Sequence, residues 1–397
     1  MSGIKKLKRI NIVTEKSMKN TIQSHSLKTP AVICFIICIL LGCKNEKPWK
    51  PGMPLPKEQI KIAVIFPNEI DRNSYYDNAH YEGTLEMQRN IGLEDSQIIR
   101  KINVYDGDPA VTEGVMRDCI AEGANIIIAT SWGYMDPCEK LAAEFPQVIF
   151  FHATGYKHNS LNFTNYSTKL YQARYLSGIA AGMKTITGKI GFVAAMGNDN
   201  SEVTGGINAF AIGVQKVNPE ARIYVKVTYS WYDPMGETNA ANDLIDSGCD
   251  IITAHSNTAM AQIAAQKAGV WSIGFNGDMS EDAPDAIITS VVPRWGAVYT
   301  RFMESVIRGT FNTAPYFYGL AEGAVDITPV NGLLSAPGTE AVVQAERQRI
   351  IDSNFNVFDG VLNANSGKTI GEEGKTLSDQ TILGGIDWYY QNVEIIK

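Results

Sequence analysis

Three short segments of this sequence combine aromatic rings, amides and a carboxylate in a way that could hold a planar, polar molecule. The first is Asn73-Ser74-Tyr75-Tyr76-Asp77-Asn78-Ala79-His80, at the turn into a helix. A tyrosine there can stack on a heterocycle, a contact of roughly 1–3 kcal/mol per base; the alternative is a helix start followed by ordinary core aromatics. The second is Ser131-Trp132-Gly133-Tyr134-Met135-Asp136-Pro137, where Gly133 permits close backbone approach. Asp136 can accept from an amino or imino group, or simply cap the next helix. In the third, Gly274-Phe275-Asn276-Gly277-Asp278-Met279, Asp278 follows a strand. Its two oxygens match a vicinal diol, with hydrogen bonds of about 1.5–3 kcal/mol.

Catalytic constellations are missing from the pattern. There is no GxxxxGK[ST] phosphate loop, no HExxH, no GxSxG elbow, and no GxGxxG after the first strand. His80, His152, His158 and His255 are scattered without ligand spacing, so each reads as a satisfied polar residue rather than a base or metal ligand. Cys119, Cys138 and Cys249 form no CxxC pair and read as small core or loop residues. Neither a metal nor a cofactor is expected, and the chain does not read as an enzyme.

The elements that must position these segments are legible as alternating short apolar runs and helical stretches, beginning with the strand Ile60–Phe66. A helix is expected from about Asn78 to Asn90. Further strands are expected at Ile98–Tyr105, Asn125–Ala129, Val148–Phe151, Lys189–Ala194, Arg222–Val227, Asp250–Ala254, Val270–Ile273 and Ala286–Val291. Such alternation predicts an α/β fold of parallel sheets covered on both faces. An internal echo sets the number of sheets. Ile120-Ala121-Glu122-Gly123-Ala124-Asn125-Ile126-Ile127-Ile128-Ala129-Thr130-Ser131 parallels Ile245-Asp246-Ser247-Gly248-Cys249-Asp250-Ile251-Ile252-Thr253-Ala254-His255-Ser256 at a constant offset of 125 residues. The expected architecture is two doubly wound parallel-sheet lobes, with a ligand cleft at the carboxyl ends of the strands. Segments 67–76, 130–137, 152–156, 195–204, 230–234, 255–258 and 274–280 would line it, Trp231 among them.

The chain's ends and charge say where such a protein works. Seven basic residues against Glu15 alone give residues 1–42 a charge of +6, so the remainder carries −13 of the chain's overall −7. A body this acidic is a poor match for nucleic acid. After the basic stretch comes the uncharged run Ala31–Leu41, long enough for a signal-peptide core and short of the ~20 residues of a membrane span. Leu40-Leu41-Gly42-Cys43 resembles a bacterial lipobox, with Cys43 as the lipidated (palmitate-bearing) residue. Met18 is an equally good start, and an uncut N-terminal anchor is the alternative. The reading of the chain is therefore signal peptide 1–42, lipidated tether 43–58, an N-terminal lobe of 59–166 plus about 290–320, and a C-terminal lobe of 167–289 plus about 321–397.

From Ile60 onward the chain resembles the basic membrane protein family of ABC-transporter substrate-binding lipoproteins, whose best understood members are purine nucleoside receptors. The resemblance is carried by Ala129–Pro137, His152–Lys157, Arg174–Gly182, Gly206–Phe210, Ser230–Pro234, Ile273–Ser280, Trp295–Tyr299 and Asp387–Tyr389, in that order. It implies a type I periplasmic-binding-protein-like fold with a hinge. It further implies Tyr76 as the stacking ring, Asp136 at the purine edge, Asp278 at the ribose, and Trp132 and Trp231 as walls beside Ser131. Segment 71–76 lacks the Asp-Lys-Ser-Phe-Asn string of the nucleoside-receptor branch and is closer to a second branch with Tyr and His80, while Asn276 stands where many relatives have Asp. A purine nucleoside, a free purine base and another small heterocycle all remain open as ligand. The function implied is a lipid-anchored receptor on the outer face of a bacterial membrane, delivering its ligand to an ABC permease and ATPase. A ligand-sensing module reporting to a membrane partner, and a nucleoside hydrolase or transferase, are the alternatives.

Overall fold

The computed structural model describes residues 49–71 and 74–396. The signal-peptide reading and the lipidation of Cys43 lie outside the described residues, as does Asn73. Runs rich in β-branched residues become strands that the structure buries on both faces, as parallel sheets require. β1 (Ile62–Ile65), α1 (Tyr75–Ile91), β2 (Ile98–Lys101), α2 (Pro109–Ala121), β3 (Ile126–Ala129), α3 (Met135–Glu144), β4 (Ile149–Ala153) and β5 (Phe163–Thr168) alternate first. After α4 (Leu170–Lys184) the alternation repeats with β6 (Lys189–Ala194), α5 (Ser201–Val217), β7 (Arg222–Val227), α6 (Pro234–Asp246), β8 (Ile251–His255), α7 (Met260–Ala268), β9 (Trp271–Phe275) and β10 (Ile287–Pro293). Then come α8 (Trp295–Arg308), β11 (Tyr316–Tyr318), β12 (Val325–Ile327), α9 (Thr339–Ile351), the hairpin β13 (Leu362–Asn363) and β14 (Thr369–Ile370), α10 (Asp379–Gly384) and β15 (Val393–Ile395).

Two large sheets result, ordered β11-β5-β4-β3-β1-β2 and β12-β10-β9-β8-β6-β7-β15. Without their added edge strands both have the same order, and the 125-residue echo falls on β3 and β8, which occupy equivalent central positions. The chain crosses between the sheets three times: from β5 to α4, from β10 to α8, and from β11 to β12. These crossings are tied to one another. Lys169 N donates to Tyr318 O at 2.7 Å, Arg294 N to Ala324 O at 2.8 Å, and Leu320 N to Gln172 Oε1 at 2.8 Å. A bundle of short connections at the base of two lobes is the geometry of a hinge.

Several elements differ from the sequence expectation for identifiable reasons. α1 begins at Tyr75 rather than near Asn78, with no side-chain cap on Ser74 to mark its start. β5 is absent from the sequence expectation because four of the six residues of Phe163–Thr168 are polar. Its polar groups are buried but satisfied: Thr164 Oγ1 donates to Ala314 O and Asn165 Nδ2 to Lys157 O. α8 returns to the first sheet, where Trp295, Tyr299 and Phe302 pack with Ile62, Phe151 and Tyr166. Cys119, Cys138 and Cys249 are buried free thiols.

The core of the second lobe depends on contact between α4 and α5. All but the last two residues of α4 are buried. A Cβ on Gly178 would meet Phe210 O at 2.2 Å, and one on Gly213 would meet Tyr175 O at 2.1 Å, so the two helices touch backbone to backbone. Alanine normally stabilises a helix interior by about 1 kcal/mol over glycine. Here Gly213→Ala is expected to act the other way, lowering unfolding free energy by about 1–3 kcal/mol in urea titration, because overpacking outweighs propensity.

Candidate functional site

The first wall of the cleft is built at the start of α1. The Tyr76 hydroxyl donates to Thr130 O at 2.6 Å, just past β3, which fixes the plane of a half-buried ring. Behind it His80 is fully buried, edge-on to Tyr76 at 4.5 Å and stacked on Trp295 at 4.2 Å. His80 Nδ1 meets the Tyr299 hydroxyl, which in turn contacts the Tyr166 hydroxyl at 3.0 Å. Burial pushes His80 down to about 3, so it is neutral, and its Nε2 has no hydrogen-bond partner. The Tyr76 hydroxyl is pushed well up, first by burial and then by the charges around it, Glu202 of the other lobe included.

The loop after β3 is locked against its neighbour. Ser131 Oγ donates to Asp106, Ser131 O contacts His152 Nε2 at 2.8 Å, and a Cβ on Gly133 would strike Asp106 O at 2.2 Å. Trp132 is exposed, its ring 5.8 Å from that of Tyr156. Asp136 is also exposed, in the first turn of α3, and pairs with Lys157 Nζ at 2.8 Å. It is a solvent-screened surface carboxylate.

The second wall rises over a buried cation. Arg174 of α4 is fully buried and donates to Thr253 Oγ1 at 3.1 Å and Ala254 O at 2.6 Å. Its guanidinium lies 4.1 Å from the Phe275 ring centroid and 5.1 Å from that of Phe192. Burial lowers its pKa to about 9, which leaves it charged. Over Phe275 sits His255, at 4.2 Å, with the half-buried Trp231 6.0 Å away. Burial and the Arg174 charge bring His255 down to about 4. Its Nε2 lies 3.8 Å from Glu202 Oε1, at the start of α5. Asn276 follows β9 in a left-handed conformation, φ 63°, with its Nδ2 3.4 Å from Asn257 Oδ1. Thr154, at the equivalent position after β4, has φ 61°. Backbone held this way in non-glycine residues is strained and concentrates at working sites.

The lobes meet at Tyr75. Its backbone N donates to Asn257 O at 3.2 Å, its hydroxyl donates to Asp282, and its ring packs with Ala259, Met279 and Ala283 of the second lobe. A Cβ on Gly277 would come within 2.6 Å of that ring. The structure therefore holds the lobes in contact, with Tyr76 and His80 on one side and Trp231, His255, Asn257 and Asn276 on the other.

Asp278 stands apart from this group. It is exposed, accepts from Ser280 N at 2.9 Å, and lines a hollow of about 260 Å³ with Ile287, Thr289, Thr328 and Asn331 of its own lobe. Glu202, one of the carboxylates whose charge helps raise the Tyr76 hydroxyl pKa, is a residue that sequence reasoning passed over. An acidic residue in a first helical turn reads as a partner for the helix dipole. The available signal was its place in segment 195–204, past the carboxyl end of β6. Among the described residues no cluster of His, Cys, Asp and Glu is arranged to hold a metal ion.

Comparison with known proteins adds an independent line. A family model described as ABC transporter substrate-binding protein PnrA-like, Bmp, matches residues 59–357. A purine-binding protein of Brucella abortus is 35% identical over 346 residues, covering 86% of this chain and 95% of the relative. A protein of Haloferax volcanii, provisionally named an ABC transporter glucose-binding protein, is 34% identical over 64% of this chain and 63% of its own length. Among solved structures, an ABC transporter solute-binding protein from Conexibacter woesei superposes with a TM-score of 0.63 at 23% identity, covering 75% of this chain and 98% of that one.

The buried imidazoles have a consequence for acid stability. His80, His152 and His255 are held at about 3, 4 and 4, below the ordinary value of 6.5, chiefly by burial. Below pH about 6.5 the unfolded chain therefore binds protons that the folded chain refuses, and stability falls with pH. Each histidine contributes a slope of up to about 1.4 kcal/mol per pH unit between there and pH about 4. Asp77 and Glu237, whose pKa values burial raises, oppose this in the carboxylate range. Urea titrations across pH 4.5–6.5 should show the fall, and His255→Gln should remove about one third of the histidine part of the slope.

Proposed function

Because the chain belongs to the Bmp family of PnrA-like ABC transporter substrate-binding proteins, which are solute-binding proteins and not enzymes, we propose that it is a lipid-anchored receptor for a purine nucleoside or purine base. In this reading Cys43 carries the lipid and holds the receptor on the outer face of the membrane, and residues 43–58 form its tether. The ligand is captured between the lobes and handed to an ABC permease driven by an ATPase. Proteins of this class work outside the cytoplasm, and among the described residues no helix is long and apolar enough to cross a membrane.

The observation that carries the reading is the Tyr76 ring, fixed in plane by Thr130 and backed by the His80–Trp295 stack, at the seam of two lobes already in contact. A rigid aromatic face of this kind suits a flat heterocycle, and excluding water by closure strengthens the polar contacts around it. Ser131, Trp231 and Asn276 are proposed as the inner polar and aromatic contacts and Trp132 as the rim. Asp136 and Asp278, both exposed, are the outer candidates for a purine edge and a ribose. The Brucella relative supports a purine, whereas the Haloferax relative makes glucose the competing solute.

Two measurements test this. Native mass spectrometry of protein purified without refolding, followed by calorimetry with adenine, adenosine, guanosine, inosine and glucose, should identify a purine bound at roughly micromolar affinity or tighter. Tyr76→Ala should weaken that binding at least about tenfold, the equivalent of one lost stacking contact. Binding of glucose with no response to any purine would overturn the ligand assignment. For the anchor, Cys43→Ser should move the protein from the membrane fraction to the soluble fraction and abolish incorporation of labelled palmitate; unchanged membrane retention would refute lipidation at Cys43.

A further inference from the structure

Glu202 is an exposed carboxylate of the second lobe that stands beside His255 of the cleft wall. It opens α5, directly after the loop that leaves β6, at the same end of the sheet as His255, Phe275 and Asn276. Its side chain is 44% accessible, so it is not consumed by packing. Among the described residues no lysine or arginine lies within ion-pair distance of it. Its one close charged-type neighbour is His255 Nε2, at 3.8 Å, beyond direct hydrogen-bond range.

That neighbour cannot neutralise it. His255 is buried against Phe275, whose ring also receives the Arg174 cation, and the burial and the cation both oppose a second positive charge on the imidazole. At 3.8 Å the neutral ring and the carboxylate are neighbours without a direct hydrogen bond, which leaves the carboxylate oxygens open to a ligand. The helix N-terminus favours the same anion. Across the seam, Glu202 is near enough to raise the Tyr76 hydroxyl pKa. An ionised carboxylate has only acceptors to offer, so the atom it meets on a ligand must be a donor.

We propose that Glu202, beside His255, is the specificity carboxylate of the cleft, accepting a hydrogen bond from an N–H of the heterocycle that stacks on Tyr76. This rests on the purine reading above and narrows it: the ligand is a purine with an N–H donor turned toward the second lobe, either an exocyclic amino group or a ring N–H. Purines that offer only acceptors on that edge meet the carboxylate lone pair to lone pair and are excluded. Asp136 and Asp278 are then not needed for recognition of the base.

Calorimetry on the full-length protein tests the assignment with three probes: adenine, 9-methyladenine, which lacks the ring N–H, and unsubstituted purine, which lacks the amino group. Wild type should bind one of the two donor-deleted analogues about ten- to hundredfold more weakly than adenine, the range for a lost hydrogen bond to a charged group. Glu202→Ala should bind adenine about as weakly as wild type binds that analogue, and should no longer distinguish the two. Glu202→Gln, which keeps an acceptor oxygen but not the charge, should fall between, and it carries the test if the alanine variant is unfolded by circular dichroism. A purely structural role would lower affinity for all three probes in parallel and leave the selectivity ratio unchanged, which overturns the proposal. Wild type binding none of the purines sinks the purine reading and this assignment with it. Wild type binding adenine, with both variants keeping its affinity and preference, sinks this assignment alone.

Discussion

A single buried cation organises the second lobe. Among the described residues Arg174 has no carboxylate partner for the charge it carries inside the protein, a placement that costs several kcal/mol unless the surroundings replace water. They do so with two ring faces, the hydroxyl of Thr253 and the carbonyl of Ala254; cation–π contacts in desolvated settings contribute about 2 kcal/mol or more. These partners come from β6, β8 and β9, so one side chain on α4 pins the helix to three strands at the end where the cleft opens. The same charge sets the electrostatics of the layer above. His255 stays neutral over it.

The two lobes meet the cleft with equivalent parts used differently. Strand ends β4 and β9 are followed by Thr154 and Asn276, both held at positive φ, so a shared backbone geometry survives where the sequences have diverged. The first lobe supplies a neutral aromatic cluster, Tyr76 edge-on to His80 and His80 stacked on Trp295; the second supplies charge, Arg174 and Glu202. Tyr75 joins them, since its ring is buried among second-lobe residues while its neighbour Tyr76 remains hydrogen-bonded to the first. A flat ligand between these walls would touch apolar surface on one side and polar groups on the other.

Much of this fold was legible before any coordinates. Runs such as Ile126-Ile127-Ile128-Ala129 and Ile251-Ile252-Thr253-Ala254 are too apolar to be anything but covered on both faces, and their 125-residue spacing placed them at matching positions in two sheets. What stayed hidden was structure that depends on distant partners. β5 is polar by composition and becomes a strand because β4 and β11 flank it; β11, β12 and β15 are three residues each, too short to carry a period. Among the candidate site residues, Tyr76 at the start of α1 and Trp231 and Asn276 in loops that follow strands could be picked out from local pattern. Carboxylates could not, because Asp136, Asp278 and Glu202 all sit in turns or first helical turns and all three are exposed; only the fold places Glu202 beside His255.

The interleaved connectivity has a consequence for how the protein is made. β5 is completed by a strand from the far side of the second lobe, with Thr164 bonded to Ala314 across 150 residues, and β7 is flanked by β15. The first sheet is therefore completed only at Tyr318, after most of the second lobe has been made, and the second only at β15 near the end of the chain. Closing loops of this length is slow and leaves sheet edges open in the meantime. The first lobe cannot close until most of the second has been made, and the second waits for the last strand of the chain, so neither lobe is finished as an independent early unit.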